Sequence, residues 1–195
     1  MKKIFIILLT LPFLVGCNDE TPLLADRDKI VKYLTSSRNF VAEEELGNVI
    51  QENPPFYTLF GRYTYRHIVN YYDEGREDRP QVAWGDRLQI RFNAYTFTGS
   101  DPTTSAIYWS NVPHIIEQLA AKSGNTLDWS TEPLTIELGH TELIKGLEYA
   151  LPGCHEADSV QIFMTSTCAY GKKLVGSVPK NSMVAWYLKI EKIEK

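Results

Sequence analysis

Residues 136–190 read IELGHTELIKGLEYALPGCHEADSVQIFMTSTCAYGKKLVGSVPKNSMVAWYLKI, and their pattern decides the fold. Leu134, Ile136 and Leu138 recur at every second position up to Gly139. Val160, Ile162 and Met164 repeat the pattern, and Val184, Trp186, Leu188 and Ile190 close the run. A period of two marks strands with a buried face. Between the first two strands, Leu143 to Leu151 forms one or two helical turns, stopped by Pro152-Gly153. Upstream, Leu88, Ile90 and Phe92 alternate within Arg87–Asn93, and Tyr63–Tyr71 is β-branched and aromatic. Residues 94–110 are rich in turn formers, and Val112–Lys122 reads as an amphipathic helix ended by Ser123-Gly124. Asp26–Ser37 carries Ile30, Val31 and Leu34 on a helical stripe. The pattern predicts an α+β domain, an antiparallel sheet with a short helix lying on it.

The first sixteen residues stand apart. Lys2 and Lys3 precede an apolar run from Ile4 to Val15, broken only by Thr10 and Pro12, which ends in Leu14-Val15-Gly16-Cys17. This is a signal peptide by length, since a membrane span needs roughly 20 apolar residues. The ending resembles the bacterial lipobox, which implies acylation at Cys17, a lipidated tether over 17–25 and an outer-membrane lipoprotein of the cell envelope, periplasmic or surface-exposed. Asn18-Asp19-Glu20 resembles the surface-export signal of Bacteroidetes lipoproteins and equally fits a solvated tether.

Composition excludes several classes. The formal charge is −4, and removing residues 1–16 with Lys2 and Lys3 takes it to −6. No basic patch stands out, so nucleic acid is not an expected partner. His67, His114, His140 and His155 lack metal-ligand spacing, and no phosphate loop or nucleophile elbow occurs, so neither metal nor cofactor is expected. Cys154 and Cys168 flank a strand of six residues, which spans roughly 20 Å. Bridged cysteines need Cα atoms within about 7 Å, so the strand argues against a disulfide.

Five ordered blocks carry a resemblance. They are Ile136-Glu137-Leu138-Gly139, Leu143-Ile144-Lys145-Gly146-Leu147-Glu148, Ala169-Tyr170-Gly171, Val178-Pro179-Lys180-Asn181-Ser182 and the final strand. With Val82-x-x-Gly85-Asp86 upstream, they resemble the FKBP-type peptidyl-prolyl cis-trans isomerases. The resemblance implies a bent antiparallel sheet wrapped on a short helix over residues 62–195. An N-terminal helical extension over 26–61 and a helical insertion at about 111–131 complete the chain. It also implies rotation about X-Pro bonds of proline-containing polypeptides, with Tyr170 and the Ile144 N–H holding substrate carbonyls. Ile136, Leu143, Leu147, Val178 and Trp186 would form the apolar cleft, with Leu147 in place of the family's Trp. Phe92 and Tyr108-Trp109 stand where the family has a Tyr and Phe-Asp, so the cleft is expected to be altered and turnover reduced. A binding module that keeps the cleft, or an envelope-complex lipoprotein docking through the extension and the insertion, are the alternatives.

Overall fold

The computed structural model describes residues 20–195, so the signal peptide and Cys17 lie outside the described residues. Helix α1 spans Glu20–Lys32 and passes into a π-turn over Tyr33–Ser37. The helix starts earlier than the apolar stripe suggests, and residues 20–25 are helical where a polar tether was expected. Pro22 sits in the first turn, where its missing N–H costs nothing. Strands β1 (Val41–Ala42) and β2 (Phe56–Phe60) follow, so the stretch 26–61 is only partly helical and adds two strands to the sheet.

Strands β3 (Thr64–Ile68), β4 (Arg87–Phe97), β5 (Ile107–Ser110), β6 (Leu134–Glu137), β7 (Ser159–Met164) and β8 (Met183–Glu194) complete one sheet in the order β1-β2-β3-β7-β8-β4-β5. Strand β6 pairs with β4 beyond the end of β5, so both lie along the same edge of that strand. Helix α2 (Pro113–Ser123) bridges them, which makes the insertion an excursion from the sheet edge. Gly124 ends it in the left-handed conformation, φ 68°, its N–H donating to Ala120. All pairings are antiparallel except β1 with β2, which is parallel. The sheet is therefore mixed, and the exception sits at its outermost edge.

Both faces of the sheet are buried in part. Leu88, Ile90, Phe92, Ile136, Val160, Ile162, Trp186 and Leu188 face helix α3 (Lys145–Ala150) and form the main core. Tyr65, Tyr95, Phe97, Phe163 and Ala185 point the other way and pack with Ile30, Tyr33 and Leu34 of the N-terminal segment. Strand β7 shows why alternation understates burial: Phe163 points away from Ile162 and Met164, yet is 0% exposed. Cys154 and Cys168 are buried free thiols.

Helix α3 lies on β7 through Gly146. A Cβ placed there would sit 2.2 Å from the Met164 sulfur, far inside contact distance. Gly146→Ala is expected to cost about 1–3 kcal/mol despite the better helix propensity of alanine, because the buried Met164 must move. Urea unfolding reads this directly; a variant as stable as the parent would show that the helix yields instead.

A buried ion pair ties the loop before β4 to the start of β7. Arg76 donates from Nε and a terminal nitrogen to the two carboxylate oxygens of Asp158, at 2.9 and 2.7 Å. Asp158 is 0% exposed and also accepts from the His155 N–H at 2.8 Å.

Candidate active site

Between α3, β6 and the inner end of β8 lies a hollow of about 260 Å³. Trp109, Ile136, Leu143, Ile144, Leu147, Tyr170 and Trp186 line it, and all seven were expected at the site. Leu134, Thr141 and Glu142 complete the lining and lie outside the five blocks, although Leu134 belongs to the first alternating run; β6 and the turn after it bring them there.

Three expected residues lie elsewhere. Phe92 is buried beneath the hollow, its ring stacked on Trp186 with centroids 4.4 Å apart and planes 18° apart. Val178 is in the core, 0% exposed, bridging to Val175 across the loop rather than forming a wall. Tyr108 is packed against the core behind the rim. Its hydroxyl accepts from the Trp186 indole N–H at 2.8 Å and lies 3.2 Å from the Tyr170 hydroxyl.

This geometry explains how the polar pair of the resembled family can be absent. Phe92, Trp109 and Trp186 form an aromatic cluster, with Trp109 edge-on to both other rings. Rings at these separations attract by about 0.5–1.5 kcal/mol per pair beyond their burial. The Trp186 indole N–H of the cluster is satisfied by Tyr108. An indole only donates, so the Tyr108 oxygen accepts from it and its proton is free for Tyr170. The Tyr170 proton can then point into the hollow. Burial pushes both phenols above the ordinary tyrosine range, so each keeps its proton.

The second donor comes from backbone. Ile144 is extended and helix α3 begins only at Lys145, two residues later than the pattern suggests. Ile144 is the N-cap, at φ −68° and ψ 139°, and its carbonyl accepts from Leu147. Among the described residues its own N–H has no acceptor. The site thus offers an apolar hollow, one phenol proton and one free amide; Glu142 is the one carboxylate in its lining, so no paired acid and base face it.

The loop that carries Tyr170 is held from the opposite face of the sheet. Asp26 of α1 accepts from the Ser166 N–H at 2.9 Å and from its hydroxyl at 2.5 Å, and the Ser166 carbonyl accepts from the Gly171 N–H at 2.8 Å. Asp26→Ala leaves two buried donors unpaired and is expected to cost about 1–3 kcal/mol. The check is a urea midpoint shift that Asp26→Asn, which restores one acceptor, partly reverses.

Residues 115–191 match the family model described as FKBP-type peptidyl-prolyl cis-trans isomerase. That stretch, under half of the chain, is similar to the FKBP-type family. The FKBP-like fold extends beyond it. A peptidyl-prolyl cis-trans isomerase from Pseudomonas syringae pv. tomato has 13% identity and a TM-score of 0.54, covering 92% of this chain and 98% of that one. The three FKBP domains of wheat FKBP73 give 14% and 0.52, covering 72% of this chain and 51% of theirs, so the chain spans about half of that protein. No curated protein matches the sequence. The hollow floored by Leu147 lies within the stretch similar to that family, with Tyr170 and Ile144 in its lining.

Proposed function

We propose that the chain is a peptidyl-prolyl cis-trans isomerase that assists the folding of exported polypeptides, tethered to the cell envelope by acylated Cys17. The observation that carries the reading is the apolar hollow with the Tyr170 hydroxyl and the free Ile144 N–H at its border. Amide resonance sets a barrier of about 18–20 kcal/mol to X-Pro rotation. The twisted amide has lost that resonance and is less dipolar than the planar one, so an apolar hollow favours it. The two donors hold flanking carbonyls while the bond turns. No group has to gain or lose a proton.

The second reading is a binding module that retains the hollow without turnover, and Phe92 and Trp109 in place of the usual polar pair favour it. A proline-peptide isomerisation assay on the full chain separates the two. Rates above the uncatalysed background support the enzyme; background rates with saturable peptide binding support the module. Mass spectrometry of the mature N-terminus tests the anchor, which an unmodified Cys17 on exported protein would exclude.

A further inference from the structure

The proline hollow is half of a longer groove. A second hollow, of about 440 Å³, shares Glu142, Leu143, Ile144 and Tyr170 with the first as a common ridge. Beyond the ridge its walls include Lys145 from the start of α3 and Lys173 from the loop after Tyr170. Both lysines are exposed, and among the described residues neither has a carboxylate partner. Glu142 cancels one of these charges, which leaves a net positive hollow on a chain of formal charge −4. The same loop presents Leu174 at 67% and Val175 at 36% exposure, and Val175 lines the hollow. Apolar side chains left in water beside unpaired ammonium groups suit an extended segment that is both apolar and acidic.

We propose that this second hollow binds the polypeptide flanking the proline and selects segments with an acidic side chain a few residues away from it. The inference rests on the isomerase reading for the placement of proline, and on charge and exposure for the flank. Glu142 sits on the ridge, so the favoured acid lies beyond the residue next to proline, on the side of Lys145 and Lys173. A residue in extended chain advances about 3.3 Å, so a position three removed from proline clears the ridge.

Three proline peptides that differ only in Glu, Gln or Lys at the third position from proline, made in two series with the change before or after it, provide the test. In one series the full chain is expected to act on the Glu peptide with kcat/KM about three- to tenfold above the Lys peptide at low salt, with Gln between, and the spread should shrink in high salt. Charge reversal by K145E with K173E should invert the order. Equal rates on all peptides of both series would overturn the inference while leaving the isomerase reading intact. If no peptide is isomerised, that reading falls, and titration of intrinsic tryptophan fluorescence with the same peptides decides the groove alone. The same affinity order would uphold the selective hollow, and equal affinities would remove it.

Discussion

Replacing Arg76 by alanine is expected to lower folding stability by about 3–5 kcal/mol, the largest effect of any single substitution considered for this chain. The cause is Asp158. That carboxylate is fully buried, and Arg76 meets both of its oxygens with parallel N–H donors. Removing the guanidinium leaves a buried charge with one backbone donor, from His155, and the longer 3.8 Å contact of Arg79. The Glu77 contact of Arg76 adds little, because Glu77 is exposed. At about 2–4 °C per kcal/mol for a chain of this size, Tm should fall by roughly 10 °C. Substituting both partners together, as Arg76→Met with Asp158→Leu, should recover much of the loss, since the fully buried carboxylate is gone and Arg79, 24% exposed, can turn toward solvent. A double variant as unstable as Arg76→Ala would show that the pair contributes more than its own neutralisation.

The second large effect concerns the tyrosine relay. Tyr170→Phe removes the donor at the hollow and is expected to lower kcat/KM for proline peptides about tenfold, with a stability loss of about 1 kcal/mol because the Tyr108 proton loses its acceptor. Tyr108→Phe acts differently. It strands the indole N–H of Trp186, which is 2% exposed, at a cost of about 1–3 kcal/mol, and it also removes the group that orients the Tyr170 proton. Its activity should fall severalfold and its Tm should drop as well. Because the two hydroxyls act in series, the double variant should lose no more activity than Tyr170→Phe alone. Strictly multiplicative losses would mean that the hydroxyls work independently, and the relay would then have no role in catalysis.

Much of the framework was legible because its signals are local. Positions 88, 90 and 92, 160, 162 and 164, and 184, 186, 188 and 190 fall on the main core face as alternation predicts. Gly124 ends α2 where the pattern places it. Seven of the ten expected site residues converge on one hollow. What escaped the sequence depends on distant partners. Trp186 and Tyr108 are 78 positions apart, and Arg76 and Asp158 are 82 apart, so nothing nearby announces either pairing. Strand β5 was hidden because it is only four residues long in a turn-rich stretch; Ile107, Tyr108 and Trp109 favour extended chain, and pairing with β4 secures it. Val178 was placed on the wall because its block resembles a cleft block, while its burial is set by a loop that folds back on itself at Val175.

The N-terminal segment is also part of the domain's own architecture. Tyr65, Tyr95, Phe97 and Phe163 present a continuous aromatic sheet face, and Ile30, Tyr33, Leu34 and Phe40 cover it. Cutting the chain near residue 62 to isolate the isomerase-like portion would strip that cover and leave a broad greasy plane in water, together with a bare edge on β3 where β2 now pairs. Such an excised fragment has two routes to self-association, face to face and edge to edge. The smallest piece with a soluble surface therefore begins at α1, and any tag, fusion or transplant of this domain has to carry its leading helix along.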